Sequence, residues 1–171
     1  GYIWMSEIDI KDFFSSIPHK RLKKCLNKYI DEAMLVELIM KFAKVQISPN
    51  FELHHNLIGL PQGSSLSPLI SNLYLTEFDN WCENQGFKFF RFSDDIRIFN
   101  KKHKTAYSDM HRIIIYLQEA FGLQVAKGKY GVYKADSRII LGYKIVKNSK
   151  ALYLQKNSRI KINKAYHWTT K

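Results

Sequence analysis

Hydrophobic and polar positions along the chain follow two periods, one near 2 and one near 3.6. Residues 2–10, YIWMSEIDI, are rich in Ile and aromatic side chains and predict a strand. The chain then turns at Ser-Ser-Ile-Pro, after which Leu22, Leu26, Tyr29 and Ile30 recur at helical spacing. A second helix is expected over residues 31–44, DEAMLVELIMKFAK, with acids in its first turn where the macrodipole favours them. Residues 45–68 are polar and punctuated by Pro and Gly, which predicts short strands and a loop. A helix is expected from 68 to 85, with Pro68 near its first turn. Residues 87–100, FKFFRFSDDIRIFN, read as a hairpin with Ser93–Asp95 near the bend. Residues 105–122 predict a helix stopped by Gly122. LQVAKGKYGVYKA, SRIILGYKIVKN and KALYLQ are all strand-like.

Strand, helices, hairpin, helix and strand, in that order, make a β-α-β-β-α-β unit. The expected fold class is therefore α+β, ferredoxin-like: an antiparallel sheet with helices packed on one face, plus a small C-terminal β element. In such a sheet the first strand and the hairpin are central neighbours. Asp9, at the end of that strand, then falls beside the bend carrying Asp94 and Asp95.

The 171 residues suit a single domain spanning 1–171. No apolar run approaches the roughly 18–20 residues that span a bilayer, and no signal peptide is visible. Cys25 and Cys82 form no CxxC pair and fit reduced thiols, so a cytoplasmic, intracellular setting is expected. Lys plus Arg total 27 against 15 Asp plus Glu, a net charge of +12 that calls for a polyanionic partner. The basic residues are dispersed, and no basic amphipathic helix carries Trp and Phe on its apolar face, which speaks against a membrane surface.

The chemistry centres on FFRFSDDIRIF, residues 89–99, where two adjacent carboxylates sit between apolar runs. Like charges in contact disturb each other's protonation unless a cation lies between them. An isolated acid pair at a bend is most simply a solvated turn. With Asp9 brought alongside, three carboxylates can hold hard divalent cations of the Mg²⁺ type, and paired ions steady both oxygens of a phosphoryl transfer.

Three stretches occur in order: EIDIKDFFSSI, GLPQGSSLSPLISNLYLTEFD and FRFSDD. Here the chain resembles the reverse transcriptases, in the bacterial branch of group II intron maturases, retrons and phage-defence enzymes. DIKDFF looks like the first palm motif, LPQGSSLSP the second, FSDD the third, LQVAKGKYGV the fourth and ILGYKI the fifth. The resemblance implies a palm domain that transfers dNTPs to a DNA primer on an RNA template, with two Mg²⁺ ions for which Mn²⁺ can substitute. It implies Asp9 and Asp94 as metal ligands with Asp95 alongside, and the Ile10 backbone carbonyl as a further ligand. Backbone N–H groups around Asp12 and Phe13 would cradle the triphosphate. Phe14 would lie under the incoming sugar and exclude a 2′-hydroxyl. Gln62 and Gly63 would line the nucleotide pocket, and Lys129 would protonate the leaving pyrophosphate, with Lys127 as its competitor.

Other residues read as structural. His54 and His55 have no Cys or acid at zinc-ligand spacing. Trp4, Trp81 and Trp168 read as packing residues, and Glu77 and Asp79 as acids on a helix surface. The family's third motif usually begins Tyr-Ala or Tyr-Val, whereas this chain has Phe92-Ser93. Fingers and thumb are expected to be largely absent, making the chain a palm-dominated piece of a longer protein. Two other readings stay open: a template-independent, defence-type DNA polymerase, and a non-catalytic nucleic-acid-binding palm module.

Overall fold

The computed structural model of the protein describes residues 2–47, 53–55, 58–61, 63–141, 143–145 and 152–154. Gln62 and Trp168 lie outside the described residues, as do the side chains of His54 and His55. The first strand, β1, runs over Trp4–Ile10. A single helical turn, α1 (Phe13–Ser16), ends at Ile17, whose extended backbone is what the following Pro18 imposes. Helices α2 (His19–Tyr29) and α3 (Ala33–Lys44) follow, then a two-stranded ribbon of β2 (Val45–Ile47) and β3 (Leu53–His55).

The single helix expected over 68–85 is two: α4 (Leu66–Tyr74) and α5 (Thr76–Asn84). Neither Pro nor Gly stands at the join. The Thr76 hydroxyl donates to the Asn72 carbonyl one turn back (3.2 Å), a bond that bends helices. Backbone bonds from Leu75 to Ser71 and from Asp79 to Leu75 persist across the join, so it is a bend rather than a loop.

The hairpin is β4 (Phe89–Phe92) and β5 (Asp95–Asn100). Helix α6 (His103–Phe121) ends at Gly122, whose φ of 67° is the left-handed cap predicted from sequence. Strand β6 (Val125–Lys134) returns through the sheet. A short 3₁₀ turn leads to a second small sheet of β7 (Ile139–Ile140), β8 (Tyr143–Ile145) and β9 (Leu152–Leu154).

The main sheet has the order β4-β5-β1-β6, all antiparallel, which is the ferredoxin-like arrangement. Alternation along β1 and β5 divides their residues between two faces. Ile8, Ile10, Ile96 and Ile98 face the helices and are at most 1% exposed. The Ser6 hydroxyl, on the same face, donates to the Ala106 carbonyl of α6. Tyr74, Phe78, Cys82, Ile113, Leu117 and Phe121 from the helices complete the core. Trp81 stacks on Tyr116 at 3.9 Å beside Phe78, which bears out its reading as packing. Glu7, Asp9, Asp95 and Arg97 occupy the opposite face.

Candidate active site

The register sets the site. In the β1–β5 pair, Asp9 lies opposite Asp95 and Glu7 opposite Arg97. Ile10 donates its backbone N–H to the Asp94 carbonyl at 3.3 Å, closing the bend onto the end of β1. The Ile10 side chain is buried, so only its backbone can reach the site.

The bend is a two-residue turn, Ser93–Asp94, and Ser93 has a φ of 56°. Tight hairpins give that left-handed conformation to Gly or Asn; on Ser it stores roughly 1–2 kcal/mol of strain. Arg91 holds it. Its guanidinium donates to both oxygens of Asp79 (2.7 and 2.5 Å), to Asn72 Oδ1 (3.0 Å) and to the Ser93 carbonyl (3.0 Å). Asp79 is therefore not a free surface acid: it anchors the bend to α5. Glu77 is also engaged, by Lys28 at 2.9 Å and Arg21 at 3.3 Å.

Asp9, Asp94 and Asp95 share a cleft of about 260 Å³ with Glu7, Arg97, Lys129 and Arg138. Lys129 Nζ is 3.8 Å from Asp9 Oδ2. Burial pushes the Asp9 carboxyl above the ordinary range; Lys129 opposes that, and Asp94 and Asp95 add to it. A second cleft of about 470 Å³ opens on the other side of Asp9, where Lys11, Asp12, Lys127 and Lys129 line it. Asp9 and Lys129 thus stand between an acidic and a lysine-rich compartment. Lys127 lines only the second.

Asp12 also has a left-handed backbone, with φ 46°, and its carbonyl accepts the Ser16 hydroxyl at 2.8 Å. Phe13 is in the core, and Phe14 is half-buried beside it, with ring centroids 5.4 Å apart. The Leu60–Pro61 segment is tied to this turn. Leu60 N–H donates to the Phe14 carbonyl (2.7 Å), Gly59 N–H to the Ile17 carbonyl (2.8 Å), and the buried His19 ring to the Gly59 carbonyl (2.6 Å). A Cβ on Gly59 would lie 2.9 Å from the Ser15 carbonyl oxygen, so only glycine permits the approach. Gly63 follows with φ 80°, exposed and with open space around it.

Oxygen donors of Asp9 and Asp94 suit a hard divalent cation. Among the described residues, no group of three or more His, Cys, Asp and Glu converges to hold a metal. Asp95, the third carboxylate of the cleft, has its two oxygens facing Arg97 at 2.7 and 2.9 Å. Sequence reasoning missed Arg97, Glu7, Arg138, Arg91 and Lys11. Period-two alternation could have found two of them: Glu7 stands two before Asp9 and Arg97 two after Asp95, on the same face.

Comparison with known proteins gives a consistent picture. A family described as "Reverse transcriptase (RNA-dependent DNA polymerase)" matches residues 1–145. The group II intron-encoded protein LtrA of Lactococcus lactis subsp. cremoris is 35% identical over 127 residues, covering 74% of this chain and 21% of LtrA. An uncharacterized 91 kDa protein in the cob intron of Schizosaccharomyces pombe is 36% identical over 84 residues, 49% of this chain and 10% of that protein. This chain therefore spans about a fifth, or less, of these relatives. A telomerase from Candida albicans, solved with a fragment of telomeric RNA, superposes with a TM-score of 0.68 at 15% identity, covering 91% of this chain and 31% of that one. At that identity the likeness is one of fold. Among the described residues, no helix is long and apolar enough to cross a membrane.

Proposed function

The chain belongs to the reverse transcriptase (RNA-dependent DNA polymerase) family, and on that premise we propose that it carries the palm of an RNA-directed DNA polymerase. The reaction is nucleotidyl transfer from a dNTP to a primer 3′-hydroxyl on an RNA template. One observation carries the reading. Asp9, at the end of β1, lines both the acidic cleft, which it shares with Asp94 of the adjacent bend, and the lysine-lined one.

Asp9 and Asp94 hold the divalent cations, with the Ile10 carbonyl as a further oxygen and Asp95 alongside. Two Mg²⁺ ions, for which Mn²⁺ can substitute, supply charge neutralisation at the reacting phosphoryl group. Lys11, Lys127 and Lys129 give the second cleft, which Asp12 also lines, the charge that suits a triphosphate, and the backbone N–H groups around Asp12 and Phe13 would cradle it. Lys129 is the better placed of the two candidate proton donors, because it alone also lines the acidic cleft. Phe14 stands as the sugar gate, and Gly63 borders the nucleotide. Catalysis is then mainly positioning and electrostatic stabilisation.

The test is extension of a DNA primer on matched RNA and DNA templates and without template, using the longest natural polypeptide that contains this chain. Extension on RNA supports the reading. Template-free extension would assign a template-independent polymerase instead. A Phe14→Ala variant should incorporate ribonucleotides roughly 10- to 100-fold more readily relative to dNTPs. An unchanged ratio would remove Phe14 from the gate.

A further inference from the structure

The open face of the sheet carries four charged side chains in a chain of ion pairs. Asp95 faces Arg97, with Oδ1 2.7 Å from Nε and Oδ2 2.9 Å from an Nη nitrogen. The other end of the Arg97 guanidinium meets Glu7 Oε1. Glu7 Oε2 accepts from Arg138 Nε at 2.8 Å and from its Nη2 at 2.5 Å. Arg138 Cζ lies over the Tyr133 ring, 4.2 Å from its centroid. Arg97 is 6% exposed. A guanidinium buried that deeply stays only where carboxylates surround it, and here two do. The four charges sum to zero, which leaves Asp9 and Asp94 as the acids of the cleft outside that chain of pairs, with Lys129 3.8 Å from Asp9.

We propose that Arg97 is a positioning residue that withholds Asp95 from divalent cations, with Glu7 and Arg138 fixing its orientation. Cation affinity then rests on Asp9 and Asp94, and Arg97 sets its ceiling. Two effects follow from one geometry. Both Asp95 oxygens lie within 2.9 Å of the Arg97 guanidinium, which hydrogen-bonds Oδ2 through Nη2, so a cation that recruited them would have to displace a buried positive charge. The guanidinium also places a positive charge beside the cation site, which weakens cation binding. This arrangement suits a centre that loads its metal together with a polyanionic nucleotide and binds it weakly alone.

The inference rests on the proposed cation site, so the experiment separates the two. Mn²⁺ binding is titrated directly, by the electron paramagnetic resonance signal of free Mn²⁺, with no nucleotide or primer present. Arg97→Gln should bind Mn²⁺ about tenfold or more tightly than the parent, and Arg97→Gln with Asp95→Asn should return to the parent affinity. Glu7→Gln with Arg97→Gln removes both members of the buried pair. It keeps the net charge of the group at zero and leaves only the more exposed Asp95 and Arg138 without these partners, and it should show the same tightening if the single variant fails to fold. Unchanged Mn²⁺ affinity in a folded variant lacking Arg97 would overturn the inference and reduce Arg97 to a structural ion pair. Asp94→Asn is the control. If it abolishes binding while loss of Arg97 changes nothing, the clamp is wrong and the cation site stands. If Asp94→Asn leaves binding unchanged, the cation site itself is wrong and the clamp falls with it.

Discussion

Asp9 is the residue on which the competing forces at this site converge. It is partly desolvated, close to two other aspartates and 3.8 Å from Lys129. The net direction is a raised pKa, so the folded protein holds this proton more tightly than the unfolded chain does. Ionised Asp9 therefore destabilises the fold. The cost is absent below the unfolded value, grows as pH rises, and is complete once pH exceeds the folded value. Asp9→Asn should melt at a higher temperature than the parent at pH 7, with the gap closing as pH falls toward 4. A lower melting temperature at pH 7 would show that Lys129 outweighs desolvation. The placement of Asp9 beside the bend at Asp94 was legible in the sequence, because element order makes the first strand and the hairpin neighbours. Glu7 and Arg97 were not, because their role exists only in the cross-strand register that pairs them.

At the scale of elements, the hairpin that carries Asp94 and Asp95 is held from outside its own strands. Arg91 ties the strained Ser93 turn to α5 through Asp79 and to α4 through Asn72. Arg91→Met should cost roughly 1–3 kcal/mol of stability, read as a lower melting temperature. Primer extension should also drop at temperatures well below the melt, because the bend that carries Asp94 loses its anchor. Extension that simply tracks the folded fraction would contradict this role. The hairpin and its bend were readable from alternation and the SDD triplet. The bend between α4 and α5 was not, because a Thr hydroxyl causes it and no Pro or Gly marks it.

At the scale of the molecule, order along the chain was enough to give the sheet: strand, helices, hairpin, helix, strand becomes β4-β5-β1-β6. The two clefts on either side of Asp9 were invisible in sequence, since Lys11, Lys127 and Lys129 converge only after β6 pairs with β1. The net charge of +12 is the other whole-molecule property with a consequence. Nucleic-acid binding should be dominated by phosphate contacts, so its dissociation constant should rise at least about tenfold between roughly 50 and 200 mM salt. A filter-binding or anisotropy titration across that range would show it, and an affinity indifferent to salt would contradict it.

The most direct single measurement is single-nucleotide incorporation on an RNA template in the presence of Mg²⁺, comparing the parent protein with Asp94→Asn. Circular dichroism would confirm that both are folded. The expected result is templated dNTP addition by the parent and a loss of at least about 100-fold in the variant. Equal incorporation by both would remove Asp94 from the reaction. No incorporation by a parent that still binds primer and template would make the bend an idle turn on a nucleic-acid-binding fold.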